Sequence, residues 1–157
     1  MKKIVKPLLE WFETHQRELP WRKDRQPYHV WVSEIMLQQT RIEAVKKYYT
    51  RFVEGIPDIE SLSFISEDRL LKLWEGLGYY SRAKNLKKAA QMIMEEYGGE
   101  FPHSYGEILK LSGIGEYTAG AIASVCFNEK VTAVDGNVLR VMARPVSYTH
   151  LTLPTKA

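Results

Sequence analysis

Two carboxylates of this 157-residue chain, Glu34 and Asp135, have the surroundings that acid–base catalysis requires. Glu34 lies in the mostly apolar segment 31–40, where partial burial would raise the pKa of its carboxyl group and suit a general acid. Asp135 precedes Gly136 at the predicted start of a helix, where the helix dipole favours an ionised side chain. A protonated acid and a neighbouring anion together suit a reaction that passes through a positively charged sugar.

Each carboxylate also has a purely structural interpretation. On a single predicted helix over residues 30–49, Glu34 shares a face with Gln38 and Arg41 and can pair with either at the surface. Asp135 is a good helix N-cap in its own right. The two residues therefore indicate a catalytic site only together with a further element.

That element is the segment 111–122, which has a Gly-x-Gly turn at Gly113 and Gly115 followed by a helix of small residues. The glycines allow a sharp turn and a close approach, and the free N–H groups at the helix start suit a phosphate. An ordinary turn is the alternative, but the order of residues, with Asp135 18 positions after Tyr117, is typical of a helix–hairpin–helix grip on a nucleic-acid backbone.

Tyr117 stands at the start of the second helix of this hairpin. A lysine at this position could act as an amine nucleophile and form a Schiff base, whereas a phenol cannot. A capping or packing tyrosine is the alternative, and both interpretations argue against lyase chemistry. Among the other aromatic residues, Trp21 and Tyr79 follow turn-prone segments and could stack on bases, although core packing is the usual role of such residues.

The composition is that of a globular domain, with 45% hydrophobic and 26% charged residues. The net charge of +3 permits nucleic-acid binding without requiring it. The single cysteine, Cys126, lies in an apolar run, which favours a buried inert thiol and excludes an internal disulfide or an all-cysteine metal site. With no signal peptide or membrane span predicted, we expect a cytoplasmic protein that does not contact a membrane.

The secondary structure around these residues is predicted to be helical throughout, so the predicted fold class is all-α. Apolar spacing predicts helices over residues 5–18, 30–49, about 70–77 and 81–97, followed by the hairpin pair at 105–124 and a last helix from residue 135. Segments 57–60 and 66–68 are predicted to be connections with N-capping residues. The Thr-rich tail 145–157, which begins at a proline, is predicted to be foreign to the domain or irregular, with a natural extended segment as the alternative.

The sequence as a whole resembles the helix–hairpin–helix DNA glycosylases, specifically the adenine DNA glycosylases of the MutY family. The motifs that carry the resemblance are Leu-Pro-Trp-Arg at 19–22, Ser-Glu-Ile-Met-Leu-Gln-Gln-Thr at 33–40, Gly-Leu-Gly-Tyr-Tyr-Ser-Arg-Ala at 76–83, the hairpin with Tyr117, and Val-Asp-Gly-Asn-Val at 134–138. Endonuclease III is similar in the hairpin and at Asp135, but that family has a lysine where this chain has Tyr117 and lacks the Gln-Gln-Thr stretch.

The resemblance implies a monofunctional N-glycosylase that excises adenine mispaired with 8-oxoguanine or guanine during base-excision repair. Glu34 is implied to protonate adenine N7 and position water, Asp135 to stabilise the oxocarbenium-like sugar, and Tyr117 to assist. Trp21 and Arg22 are implied to line the adenine pocket. The mechanism requires base flipping, which costs least at a mismatch.

The partner implied is duplex DNA with an A:8-oxoG or A:G mismatch, bound by a monomer associated with the nucleoid. Gln39 and Tyr79 are implied to enter the DNA stack. Backbone amides of the hairpin are implied to meet phosphate, with a monovalent cation at the turn. The residues expected at the DNA interface are Leu37, Gln38, Gln39, Thr40, Tyr79, Gly113, Gly115 and Thr118.

The family architecture implied is a six-helix barrel at 21–134, containing the helix–hairpin–helix at 105–124, with residues 135–144 starting the next helix. Residues 1–20 would belong to an incomplete second domain and expose apolar surface. The family carries a 4Fe–4S cluster on four cysteines and a C-terminal domain that recognises 8-oxoguanine, and neither is in this chain. We therefore expect a truncated glycosylase domain, with a non-catalytic DNA-binding remnant or an endonuclease III-like glycosylase of damaged pyrimidines as the alternatives.

Overall fold

The computed structural model describes residues 2–144, and all the regular secondary structure in that range is helical. The helices are α1 (Lys2–His15), α2 (Pro27–Leu37), α3 (Ile42–Gly55), α4 (Ile59–Phe64), α5 (Glu67–Trp74), α6 (Ser81–Tyr97), α7 (Tyr105–Ile108), α8 (Glu116–Phe127) and α9 (Gly136–Ala143), with a 3-10 turn at Pro20–Arg22 between α1 and α2. The all-α prediction is confirmed. The predicted tail 145–157 lies outside the described residues, and in the described part no helix is long and apolar enough to cross a membrane.

Helix α2 lies at the centre of the molecule. It begins at Pro27, whose ring suits the first turn of a helix, and it is apolar on most of its circumference. It packs against α3, α6 and α8. The small residues of α8, including Ala119 and Ala123, are buried in the core and allow that helix to come close to α2. Because α2 is fixed on several sides, its one acidic residue, Glu34, is held rigidly.

The single helix predicted over residues 30–49 is wrong, because the chain breaks between α2 and α3. Gln39 at the break has a φ of +57°, a conformation incompatible with a continuing helix. Gln38 and Arg41 therefore do not share a helical face with Glu34. The structural interpretation of Glu34 as a surface residue paired with one of them required that shared face, so it has no geometric support.

The capping residues predicted for the following segment are confirmed. The Asp58 carboxylate accepts a hydrogen bond from the Ser61 N–H at 2.7 Å, and the Ser66 hydroxyl accepts one from the Arg69 N–H at 3.4 Å. Asp58 begins a short helix, α4, in a segment that the sequence analysis treated as a connection. This helix packs closely on α6 and buries Leu62, which is why six residues are enough to form it.

The connector from α8 to α9, residues 128–134, lies directly on α8. A Cβ atom added to Gly120 would come within 2.2 Å of the Thr132 carbonyl oxygen, so the two backbones are in contact there. Glu129 fixes the other side of the connector by accepting a hydrogen bond from the Tyr105 N–H at 2.7 Å. The connector leads directly to Asp135, so its path decides where that carboxylate lies.

Helix α1 contacts little of the remaining described structure and leaves its apolar residues exposed, as expected from the sequence. The exposed apolar side chains are Val5, Leu8, Leu9, Trp11 and Phe12. Arg22 reaches over the Phe12 ring at 5.9 Å, which provides one cation–π contact to the domain.

Because the apolar face of α1 is exposed, we predict that copies of this chain associate through it. One charged residue introduced into that face should reduce the association. Leu9 is 56% exposed, so Leu9→Lys should change the free energy of unfolding by no more than about 0.5 kcal/mol while lowering the apparent mass in light scattering. Leu70→Lys, at a fully buried position of α5, is the matched control and should unfold the domain. Equal destabilisation by both variants would mean that α1 packs its apolar face in solution.

Candidate active site

Glu34 is the acidic residue of α2, and its side chain is half-buried. Burial raises the pKa of Glu34 and is the largest influence on it; the nearby Tyr117 hydroxyl and the charge of Arg22 act in the opposite direction, and Asp135 adds to the rise. The net effect is a pKa above the usual glutamate value. The Glu34 carboxyl group therefore holds its proton to a higher pH than an ordinary glutamate. It also interacts electrostatically with three predicted site residues, Tyr117, Arg22 and Asp135.

Tyr117 is the second residue of α8, so the hairpin turn sets its position. Burial, together with the nearby negative charges of Glu34 and Asp135, raises the pKa of its hydroxyl to about 12. The phenol thus stays neutral and keeps its proton available for the Glu34 carboxylate. This position brings the second helix of the hairpin close enough to the predicted acid for the two groups to influence each other's pKa.

Asp135 is the N-cap of α9 and is also part of the cluster around Glu34. Its carboxylate accepts a hydrogen bond from the Val138 N–H at 2.8 Å and another from the Asn137 side-chain amide at 3.1 Å. The bond from Val138 is the largest of the influences that lower the pKa of Asp135. The capping and the catalytic interpretations are therefore compatible, because the cap is what keeps this carboxylate ionised.

Arg22 and Trp21 lie in the 3-10 turn but have different environments. Arg22 is exposed, and its charge lowers the pKa of Glu34, so it lies near the cluster, while its contact with a bound base stays a prediction. Trp21 is only 6% exposed and packs edge-on against Tyr49, with ring centroids 5.3 Å apart. Trp21 therefore supports the turn that carries Arg22, and its contact with a bound base stays a prediction.

The two hairpin glycines differ in what they do. Gly113 has a φ of +76°, and a Cβ there would come within 2.6 Å of the Asn85 Cβ. Gly115, the N-cap of α8, has an extended backbone with a φ of −98° and open space around it. Gly113 is thus required by the turn itself, whereas Gly115 presents an open surface next to the free N–H groups of α8.

The other residues predicted at the DNA interface divide by exposure. Gln39 and Tyr79 are exposed, and each has a positive φ, of +57° and +47°. Leu37, Gln38 and Thr40 are half-buried around the break after α2. Thr118 is only 3% exposed, so a direct contact of its side chain with DNA does not fit the structure, and what stays a prediction is a contact through its backbone N–H.

Arg82, which the sequence analysis did not single out, joins the two loops that carry Gln39 and Tyr79. Its Nη1 donates to the carbonyls of Ile35 (2.9 Å), Met36 (3.2 Å) and Gln38 (2.6 Å) at the end of α2, and its Nη2 donates to those of Leu77 (3.2 Å) and Gly78 (3.3 Å) before α6. The guanidinium also lies 5.6 Å from the centroid of the Tyr79 ring. A signal was present in the sequence, because an arginine four residues after a Gly-x-Gly turn, in the first turn of the next helix, can reach back to the carbonyls of that turn.

Cys126 is the one cysteine of the chain, and it is half-buried. Burial is the main cause that raises the pKa of its thiol to about 11, so the predicted inert thiol is supported. A 4Fe–4S cluster needs four thiolate ligands, and the part of the chain that the structure describes holds no group of three or more potential metal ligands. The residues present do not fit such a cluster.

A half-buried acid, a phenol and an ionised carboxylate grouped at a helix–hairpin–helix are the features of a class of base-excision enzymes, and the comparisons with known proteins agree with that class. The chain belongs to the HhH-GPD superfamily of base excision DNA repair proteins, whose family model matches residues 32–152. That match includes residues 145–152 of the tail. The expectation that the tail 145–157 is foreign to the domain stays a prediction.

Within this superfamily the chain is similar to the adenine DNA glycosylase of Buchnera aphidicola subsp. Baizongia pistaciae, with 47% identity over 138 residues. The alignment covers 87% of this chain and 39% of that relative, so the chain spans about two-fifths of its length. A solved thermostable thymine-DNA glycosylase is 33% identical with a TM-score of 0.87, covering 96% of this chain and 70% of that one. A non-covalent endonuclease III–DNA complex is 26% identical with a TM-score of 0.75, covering 89% and 66%.

Proposed function

We propose that this domain removes adenine from duplex DNA by hydrolysis of its N-glycosyl bond, at mismatches with 8-oxoguanine or guanine. The observation that carries the proposal is the grouping of Glu34, Tyr117 and Asp135, which come from α2, α8 and the start of α9. The similarity to adenine DNA glycosylases supports the choice of base.

The proposed reaction begins with the protonated carboxyl of Glu34, which donates its proton to N7 of the flipped adenine. The C1′–N9 bond then breaks and its electron pair leaves with the base, so the sugar becomes an oxocarbenium cation. The ionised carboxylate of Asp135 stabilises that cation. Glu34, now a carboxylate, accepts a proton from water as the water oxygen bonds to C1′, which yields an abasic site and restores the acid.

Tyr117 supports hydrolysis rather than lyase chemistry. Its hydroxyl remains protonated because its pKa is raised to about 12, and it carries no amine that could form a Schiff base with the sugar. Its role in the proposal is to hold the Glu34 carboxylate by a hydrogen bond while water approaches. The alternative of an endonuclease III-like lyase therefore lacks its nucleophile at this position.

Binding of DNA is proposed to use the hairpin backbone and the two exposed loops. The open surface at Gly115 and the free N–H groups of α8 suit a phosphate, with a monovalent cation at the same turn. Gln39 and Tyr79 are proposed to enter the stack beside the mismatch, and Tyr79, at 64% exposed, has its ring available for that. When self-association through α1 is prevented by Leu9→Lys, a monomer on the duplex is the expected state at the nucleoid, and light scattering of the complex tests it.

Single-turnover base release tests this function. We expect adenine release from duplexes with adenine opposite 8-oxoguanine or guanine, none from adenine opposite thymine, and no DNA adduct after borohydride treatment. Release of an oxidised pyrimidine with a borohydride-trapped adduct would instead favour the endonuclease III-like alternative. Absence of release, together with mismatch-independent binding, would favour a non-catalytic DNA-binding domain.

A further inference from the structure

The two loops proposed to enter DNA are held in unusual backbone conformations before any DNA is bound. Gln39 and Tyr79 are two of three non-glycine residues with a positive φ in the described part of the chain; the third, Asn128, ends α8, where this conformation is ordinary. A non-glycine residue in this region is in a strained backbone conformation, so the surrounding structure must hold it. The question is which group does so at both loops.

Arg82 is the side chain that contacts both loops. Its five hydrogen bonds all go to backbone carbonyls, three just before Gln39 and two just before Tyr79. Arg82 is only 9% exposed, and it therefore offers DNA little of its charge. The carbonyls at the end of α2 are among those that a helix leaves without partners, so Arg82 also satisfies the end of the helix that carries Glu34.

We infer that Arg82 is a positioning residue, which fixes Gln39 and Tyr79 in the backbone conformations that they need to enter the DNA stack. The inference rests on the proposed function, because it assigns to the two loops the role given there. Arg82 acts through the loops and does not touch the reacting atoms. The planar guanidinium is required, since one lysine ammonium has three donors and cannot reach two separated sets of carbonyls in this fork.

The variant that tests this is Arg82→Lys, with Arg51→Lys as the matched control. Arg51 also donates to a carbonyl, that of Leu73 at 2.8 Å, and lies over the Tyr48 ring, but its hydrogen bond goes to α5 and not to the carbonyls before Gln39 or Tyr79. We expect Arg82→Lys to slow adenine release per active molecule roughly tenfold or more and to leave affinity for undamaged duplex within about twofold. Arg51→Lys should change neither quantity by more than about twofold.

A double-mutant cycle separates positioning from general destabilisation. If Arg82 acts through the loops, Arg82→Lys should have little further effect on release once Gln39 and Tyr79 are both alanine. Additive effects would overturn the inference, and so would a lower active fraction with an unchanged rate per active molecule.

The fluorescence of 2-aminopurine placed beside the mismatch reports entry into the stack without any chemistry. The wild-type chain should change that fluorescence, and Arg82→Lys should lose most of the change, whereas Arg51→Lys should keep it. If the wild type changes the 2-aminopurine fluorescence but releases no adenine, the proposed function fails. The comparison of fluorescence between the wild type and Arg82→Lys still tests the role of Arg82 in that case. Full unstacking by Arg82→Lys would overturn the inference in either case.

Discussion

Glu34→Gln is expected to lower the rate of adenine release by at least about a hundredfold, because glutamine cannot donate the proton that the leaving base requires. Affinity for mismatched duplex should stay within a few-fold, since the substitution keeps the shape of the side chain. Single-turnover release and a binding titration on the same duplex measure the two quantities. Glu54→Gln, at an exposed position of α3, is the matched control and should behave as wild type.

The pH dependence of stability provides a second readout of the same substitution. Burial raises the pKa of Glu34 in the folded state, so the folded chain holds this proton more tightly than the unfolded chain. Stability of the wild type therefore falls as pH rises from the ordinary glutamate pKa through the raised one, and that loss persists above it. Glu34→Gln should unfold at a higher temperature than wild type at about pH 8, with a smaller difference at about pH 4.

Unchanged adenine release in Glu34→Gln would remove the acid role from this residue. A thermal midpoint that does not depend on the substitution at either pH would show that the carboxyl is not buried in solution as it is in the structure. The two readouts are independent, since one follows chemistry and the other follows the folded state alone.

Gly113→Ala and Gly115→Ala are expected to differ in their effects, because the first should lower the free energy of unfolding whereas the second should lower only the affinity for duplex DNA. Alanine at position 113 must adopt a φ of +76° and displace Asn85, so we expect a loss of about 2 kcal/mol in the free energy of unfolding and weaker DNA binding. Alanine at position 115 meets no atom in the free chain, so stability should hold. Its affinity for duplex should fall about tenfold or more, because the added methyl group would keep phosphate from the N–H groups of α8.

Urea denaturation and duplex titration at one fixed salt concentration measure these effects. Gly106→Ala is the control, because Gly106 lies in α7 with open space around it and is assigned no role in binding. Full affinity in Gly115→Ala would exclude this turn as the phosphate contact. Wild-type stability in Gly113→Ala would mean that Asn85 and the turn adjust at no cost.

The sequence locates the candidate cluster of Glu34, Tyr117 and Asp135 more completely than it locates the loops around that cluster. Glu34, Tyr117 and Asp135 were selected because each has a distinctive neighbourhood: an apolar helix, a Gly-x-Gly turn and an N-capping position. Those neighbourhoods are local, so they can be read from spacing. The structure then brings the three side chains into electrostatic contact.

The break after α2 was missed because its cause is not local. The helical spacing of apolar residues resumes at Ile42 after four polar residues. The carbonyls that the helix leaves open at the break are bound by Arg82, 44 residues beyond Gln38. Trp21 and Thr118 were placed at the site for a related reason, since a motif gives a residue's position along the chain and not which way its side chain faces. Both prove to be buried.

The contact between Gly120 and the connector makes α8 a spacer between the two carboxylates. Glu34 lies on α2, which packs against α8, while Asp135 follows the peptide that rests on α8 at Gly120. The gap in which a sugar would sit thus depends on how closely two backbones approach at a residue without a side chain. A methyl group added at Gly120 would push the connector away from α8 and increase the distance between Glu34 and Asp135. The rate of the reaction would then change although both carboxylates are unaltered.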